Sequence, residues 1–185
     1  MGNLSTHFPA PTSSNVLEQI VYYADGKTVV TGAGNFTAPD ITAVTGVTSN
    51  SFIDSPGTNI DYTPPTGTTK VIYEAQIQTR YYDDTHMSPS WYVELDGTQI
   101  TQTKRTELQQ YTYEILLHSL AVIDINGTDS IATGQLASWT SAKTIKTKIC
   151  CYSSDYQFYV NGCYHYAGAA PGLVTPPMIT ITAIK

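Results

Sequence analysis

The chain has 185 residues, enough for one sizeable domain with a core; 41% are hydrophobic and only 13% charged, where soluble domains average about 25% charged. The formal net charge of −6 argues against nucleic-acid binding, because that function normally requires a basic face. Fourteen tyrosines and many threonines favour strands over helices, since both residue types fit half-buried pleated surfaces.

Residues 1–14 contain two prolines and several serines and threonines, and they predict an extended N-terminal arm. Gly2 and Thr6 also fit the loose N-myristoylation pattern, so Gly2 is a candidate lipidation site; the alternative is an ordinary solvated terminus. The sequence contains no apolar run long enough to span a bilayer and no signal-peptide pattern. We therefore expect synthesis in the cytoplasm and no membrane span.

Residues 15–23 end in β-forming residues and predict a first strand, which the Asp25-Gly26 turn joins to a second strand at residues 27–31. A short helical turn at the start is the alternative, because Asn15 and Glu18 have the spacing of a helix cap. Short, weak strands are expected within residues 36–47, 52–53 and 58–62.

The clearest strand pattern lies between residues 62 and 96. Its Pro-Pro-Thr-Gly segment at residues 64–67 predicts a turn. From Lys70 to Arg80, apolar and polar residues alternate, so one face is expected to pack on a core and the other to meet water or a partner. A second alternating strand runs into Asp96-Gly97, a strong hairpin signal, and its return strand is expected at residues 98–103.

The most apolar run, residues 111–125, is predicted to be a strand, because Tyr, Thr, Ile and Val dominate it; a helix is the alternative. Further strands are predicted at residues 143–152, 156–160, 163–166 and 178–184, with a hairpin turn at Asn161-Gly162. About ten strands with regular turn signals predict an all-β, antiparallel β-sandwich with jelly-roll topology, as a single domain over residues 15–185.

Few residues suggest catalysis, and we expect a non-enzymatic protein without metal or cofactor. The Asp-Asp-Thr-His segment at residues 83–86 contains residue types that bind metal ions. A polar loop between two strands contains the same residue types, and no second cluster in the sequence completes a metal coordination shell. His118 lies in the apolar run and is expected to be a core or interface histidine. Cys163 and His165 share one strand face, without a recognisable oxyanion hole.

Glu74 and Glu94 form the best enzyme hypothesis, as paired carboxylates on adjacent strands of a jelly-roll glycosidase. We favour the simpler interpretation, because glutamate is expected on any solvated strand face. The odd number of cysteines, Cys150, Cys151 and Cys163, is typical of a reducing compartment. A disulfide from Cys150 or Cys151 to Cys163 across a hairpin is the alternative.

Several segments occur in an order that resembles a known group of proteins. They are NVLE at residues 15–18, DG at 25–26, SPGTNIDYTPPTGTTKVIYE at 55–74, VELDG at 93–97 and ASWTSAKTIK at 137–146. The chain resembles largely uncharacterised β-sandwich proteins encoded by large marine DNA viruses, especially viruses of algae, and by related metagenomic viral genomes. The resemblance covers most of the chain beyond residue 14. These motifs are turns and strands, so they indicate kinship rather than chemistry.

The resemblance implies a virion structural protein with a C1q/TNF-like jelly roll: a minor capsid component, a decoration protein or a fibre head. Such modules often trimerise, so it implies a homotrimer that binds other capsid proteins at the capsid surface. It carries over no catalytic residues. Ala24 stands where related sequences have a cysteine before Asp25-Gly26, so no shared disulfide is implied.

Carbohydrate binding at a host-attachment tip is the alternative function. Exposed aromatic rings stack on sugars, and the candidates are Tyr81, Tyr82, Trp91 and Trp139. For the two tryptophans we favour a structural role, with Trp91 in the core and Trp139 packing a loop, because tryptophan is usually buried. A fibre head can combine assembly with glycan binding.

Overall fold

A computed structural model describes residues 15–81, 86–107, 109–110, 114–125, 127, 129–153, 156–163 and 173–185. The predicted N-terminal arm, with Gly2, lies outside the described residues. None of the helices in the described part of the chain is long and apolar enough to cross a membrane.

Strands dominate the described residues, and two short 3-10 helices lie at Thr101–Thr103 and Ile131–Thr133. The strands are β1 (Val16–Tyr23), β2 (Thr28–Thr31), β3 (Gly34–Thr37), β4 (Thr45–Val47), β5 (Ile53–Asp54), β6 (Ile60–Tyr62), β7 (Lys70–Tyr81), β8 (His86–Met87), β9 (Pro89–Leu95), β10 (Thr98–Gln99), β11 (Arg105–Thr106), β12 (Gln109–Gln110), β13 (Glu114–Ile125), β14 (Gln135–Leu136), β15 (Lys143–Cys151), β16 (Phe158–Val160) and β17 (Met178–Ile184).

The principal strands form two sheets. The first sheet has the order β1-β17-β7-β13-β14, with β16 and β4 beside the end of β7. The second sheet has the order β10-β9-β15-β5, with β6 continuing along β15 and β11 along β9. β5 and β6 count as one strand of the sandwich, and β10 and β11 as another. This leaves eight principal strands in chain order: β1, β5/β6, β7, β9, β10/β11, β13, β15 and β17. Numbered from one to eight, they have the order 1-8-3-6 in the first sheet and 2-7-4-5 in the second. This is the strand order of a jelly roll, and it confirms the predicted fold class.

The alternation in β7 explains how the sheets pack. Val71, Tyr73, Ala75 and Ile77 are fully buried between the sheets, while the residues between them face outward. Because successive side chains of a strand point to opposite faces, one strand supplies both a core and a surface. The predicted division of this strand into two faces is therefore confirmed.

Two further sequence interpretations agree with the structure. The apolar run forms the long strand β13 and not a helix, and it pairs with β7 along its whole length up to Asp124. The Asp96-Gly97 turn joins β9 to β10, with positive φ angles of 47° and 79° that suit a tight hairpin. The return strand is shorter than expected, because the 3-10 helix Thr101–Thr103 replaces its second half.

Two predicted hairpins are wrong. The strands on either side of Asp25-Gly26 do not pair: β1 pairs with β17, and β2 pairs with β3 around a turn at Gly32 and Ala33. β16, which precedes Asn161-Gly162, is paired with β4 on one edge and β7 on the other, so neither edge is open for a hairpin partner. Residues 164–166 of the predicted return strand lie outside the described residues. In both places the dipeptide produces a local bend, while packing with distant strands decides the partner.

Candidate interaction surface

The outward-pointing side chains of β1, β17, β7 and β13 form one continuous surface, which we name the first-sheet outer face. The pairing registers align them in rows across the sheet, because directly opposed residues of antiparallel strands point to the same side. Its members, from the row of Leu116 to the row of Val122, are Gln19, Val21, Tyr23, Met178, Thr180, Thr182, Ile72, Glu74, Gln76, Gln78, Leu116, His118, Leu120 and Val122.

Five of these members are large hydrophobic side chains exposed to solvent. Val21 and Tyr23 on β1 are each 55% exposed, and Leu116, Leu120 and Val122 on β13 are 56%, 44% and 40% exposed. Several exposed hydrophobic side chains on one face of a chain commonly mark a contact with another molecule. The first-sheet outer face is therefore the candidate interaction surface.

Glu74 and His118 are the only acidic and basic side chains among the members of this face. His118 Nε2 is 3.8 Å from Glu74 Oε2, and both side chains are partly exposed. A second pair, Lys70 with Asp124 at 3.5 Å, lies at the end of the face in the adjoining row. The remaining members are apolar or uncharged, so little charge has to be desolvated when the face is covered.

The outer face of the second sheet has a different character. Asp54 accepts hydrogen bonds from Lys146 Nζ at 3.0 Å and Lys148 Nζ at 2.7 Å, and Lys146 also lies 3.2 Å from Glu94. The hydrogen bond from Lys148 holds the pKa of Asp54 below its usual value, and Lys146 adds to the effect. These charges already have partners within the chain, so we assign this face to solvent.

The alternative hypothesis of a Glu74–Glu94 carboxylate pair is wrong, and the favoured interpretation of two glutamates on outward strand faces agrees with the structure. The two residues lie on β7 and β9, which belong to different sheets, and their side chains face outward on opposite sides of the sandwich. They cannot act together on one glycosidic bond, which needs two facing carboxyl groups. His118 was expected to be a core or an interface histidine; half of its side chain is exposed on the first-sheet outer face, so it does not lie in the core.

The structure describes only part of the other candidate reactive groups. Residues 82–85 and 165, which carried the metal and Cys-His hypotheses, lie outside the described residues, and the described part of the chain contains no group of three metal-ligating side chains. Cys150, Cys151 and Cys163 are free thiols, so the alternative of a disulfide among them is wrong. Cys151 donates to the carbonyl of Val47 at 3.0 Å, and burial raises its thiol pKa to about 11.

The structure places both tryptophans inside the protein. Trp91 is 6% exposed and Trp139 is 5% exposed. Trp139 Nε1 donates to the carbonyl of Tyr62 at 3.1 Å, and the Trp139 edge lines an uncharged cleft of about 300 Å³ beside the turn at residues 64–67. Neither ring presents an open face for stacking on a sugar. The structure does not describe the side chain of Tyr81 or any part of Tyr82, so glycan contact at these two residues stays a prediction.

Sequence reasoning missed the exposed aliphatic residues of β13 as site residues. The available signal was the residue pattern of this strand, which has apolar side chains at both even and odd positions. Leu117 and Ala121 fill the core, while Leu116, Leu120 and Val122 point the other way. A strand that is apolar on both faces is expected to be covered on both faces.

Comparison with known proteins gave structural matches alone: no family model and no curated protein matches the chain. A sugar-binding protein described as the EclA C-terminal domain matches with a TM-score of 0.37 and 11% identity, over 71% of this chain and 84% of that one. The VP2 subviral particle of infectious bursal disease virus matches with a TM-score of 0.39 and 12% identity, over 96% of this chain and 42% of that one. The Gt strain of this virus matches with a TM-score of 0.31 and 13% identity, over 86% of this chain and 43% of that one.

The matched structures therefore include viral particle proteins and a sugar-binding domain, and this chain spans less than half the length of the two viral ones. TM-scores this low do not establish kinship or function. The fold assignment rests on the strand order described above, and the origin in an algal virus stays a prediction.

Proposed function

We propose that this protein is a non-enzymatic virion structural protein that acts through self-association and through binding to other capsid proteins. The observation that carries the proposal is the first-sheet outer face, where β1 and β13 expose five hydrophobic side chains and Glu74 is the one carboxylate. Interface centres are depleted in charge and enriched in apolar and aromatic side chains. Covering this face removes apolar area from water without breaking the ion pairs of the second sheet.

The setting in a virion comes from the motif resemblance, above all from residues 62–74 and 138–144. In this proposal the protein is made in the host cytoplasm and joins the particle as a minor capsid, decoration or fibre-head component at the capsid surface. The same resemblance favours a trimer. A jelly roll with one apolar outer face and one charged outer face suits such a role, because one face contacts a neighbour while the other meets solvent.

Light scattering coupled to size-exclusion chromatography tests the self-association. We expect the purified protein to elute with a mass that is a multiple of the chain mass, three copies being the favoured number. Leu120→Lys places a charge in the middle of the first-sheet outer face, and we expect it to shift the protein toward monomer. Val30→Lys is the matched control, because Val30 is 78% exposed on β2, outside this face.

Copurification with virions tests the biological setting. A protein that is monomeric at micromolar concentration and that is absent from purified particles would contradict the proposal. If Val30→Lys dissociated the oligomer as strongly as Leu120→Lys, the contact would lie elsewhere on the protein.

A further inference from the structure

β13 has an open edge in the part of the chain that the structure describes. On one side it pairs with β7 from Glu114 to Asp124. On the other side it meets β14, at Asp124 and Ile125 alone. No described strand pairs with residues 116–120 on that side. A long strand edge of this kind is a template for pairing with another chain.

The direction of the backbone groups follows from one hydrogen bond. Asp124 N donates to the carbonyl of Gly134 at 2.9 Å, on the side of β13 away from β7. Along a strand, the N–H and C=O of one residue point to the same edge, and successive residues alternate between the two edges. Leu116, His118 and Leu120 therefore direct their N–H and C=O groups to the open edge, and their side chains lie on the first-sheet outer face.

We propose that the open edge of β13 pairs in antiparallel fashion with β13 of a second copy, about a two-fold axis at His118. This inference rests on the self-association proposed above, but it replaces the three copies that the resemblance favours with a two-fold dimer, because the contact uses the same stretch of β13 on both copies. In this register His118 is opposite His118 of the second copy. Leu116 of each copy is opposite Leu120 of the other. Three hydrogen-bonded residue pairs then join the two first sheets into one continuous sheet.

The structure favours this register over its two neighbours. An axis at Ser119 would pair Leu116 with Val122, but Gly134 blocks that part of the edge: a Cβ on Gly134 would lie 2.8 Å from the Val122 carbonyl oxygen. An axis at Leu117 would place Leu116 opposite His118 and lose the match between leucines. The axis at His118 uses the open residues and places aliphatic side chains opposite each other, which stabilises antiparallel pairs.

Disulfide trapping tests the contact in the full chain. The background carries Cys163→Ser, which removes the one partly exposed thiol. The two Cα atoms of residue 118 are expected to be about 5.5 Å apart across the axis, within the range that a disulfide spans. We expect His118→Cys to give a covalent dimer with oxidised glutathione on non-reducing electrophoresis.

Gln76→Cys is the matched control. Gln76 is opposite His118 on β7, on the same face but one strand further from the axis. The two copies of residue 76 would be about 14 Å apart, across three strand spacings. Gln76→Cys should therefore give no covalent dimer under the same conditions.

A mixture of two variants tests the register. Leu116→Cys and Leu120→Cys should cross-link when mixed, because the proposed register places these residues opposite each other. Each variant alone should not, since its own copies are about 13 Å apart along the strand. A covalent dimer from Leu116→Cys alone would overturn the register.

The outcomes separate this inference from the proposed function. An oligomer in light scattering without any cross-link at His118→Cys or in the mixture overturns the edge pairing and leaves self-association standing. A monomer without any cross-link, and without binding to virions, overturns both. Trapping at His118→Cys and in the mixture, with Gln76→Cys unlinked, supports the two-fold contact.

Discussion

The Thr147 hydroxyl donates a hydrogen bond to Ser119 Oγ at 3.0 Å, and this bond crosses the core between the two sheets. Both residues are almost completely buried. Tyr73 donates to the carbonyl of Thr58 at 2.7 Å, and its hydroxyl lies 3.4 Å from Thr147 Oγ1. Four buried polar residues thus satisfy one another in an otherwise apolar interior, as buried polar groups generally must.

Thr147→Val keeps the shape of the side chain but removes the hydroxyl. We expect it to lower the free energy of unfolding by about 1–2 kcal/mol, because Ser119 Oγ then loses a buried partner. Ser119→Ala should cost a similar amount. The double variant should cost less than the sum of the two, since it leaves no unpaired hydroxyl between the sheets. Urea unfolding of the four proteins measures this, and strict additivity would show that the bond contributes nothing.

Asn161 combines an unusual backbone conformation with complete burial. Its φ is 61°, its N–H donates to the carbonyl of Gln78 at 2.8 Å, and its Nδ2 donates to the carbonyl of Pro56 at 3.1 Å. Asn161→Ala loses the side-chain hydrogen bond and retains the backbone strain, so we expect a loss of about 2–3 kcal/mol.

Asn161→Gly is the informative control, because glycine adopts this φ without strain. It should be less destabilising than Asn161→Ala in the same thermal or urea unfolding experiment. Equal losses for the two variants would show that the backbone conformation at this position carries no cost.

The three thiols should differ in reactivity. Cys150 and Cys151 are buried, and burial raises the pKa of both, so each remains a protonated thiol at neutral pH. The thiolate is the reactive form, and we expect neither residue to react with a disulfide reagent in the native protein. Cys163 is partly exposed and should react. The absorbance of the group released from the reagent should correspond to one reactive thiol per native chain and three after denaturation. Three reactive thiols in the native protein would contradict the burial of Cys150 and Cys151.

Asp54 should contribute to stability at neutral pH but not at low pH. Its pKa is lowered in the folded protein by Lys148 and Lys146, so its contribution is present above the unfolded-state value of about 3.9 and is lost as pH falls through the folded value. Its side chain is 55% exposed, which limits the effect through solvent screening to about 0.5–1 kcal/mol.

Asp54→Asn should therefore destabilise the protein at pH 7 and have less effect at low pH, as the wild-type carboxylate becomes protonated. High salt should reduce the difference at pH 7, since exposed ion pairs are screened. A difference of the same size at both pH values would assign the effect to packing instead of charge.

The sequence predicted the strands more reliably than their partners. The alternation from Lys70 to Arg80 correctly identified the core face of β7, because the period of a strand is a local property. Pairing is not local. The Asp25-Gly26 turn was assigned a hairpin, yet β1 pairs with β17 from the other end of the chain. The core contacts of Ile20 and Tyr22 within the first sheet outweigh the turn signal.

The interaction surface was harder to predict for the same reason. Glu74 and Glu94 are both on outward faces, as expected, but only the crossover connections determine that those faces are on opposite sides of the sandwich. Leu116 and Leu117 cannot be told apart by residue type. Pairing of β13 with β7 buries one and exposes the other.

The blockage of the β13 edge beside Val122 limits how far an assembly can grow. An edge strand open along its full length can slip in register and recruit chain after chain, which leads to fibres. Here Gly134 limits pairing to a short stretch, and a two-fold contact uses the same stretch on both partners. In the proposed pair, each copy occupies the edge of the other, so the contact closes on itself at two copies.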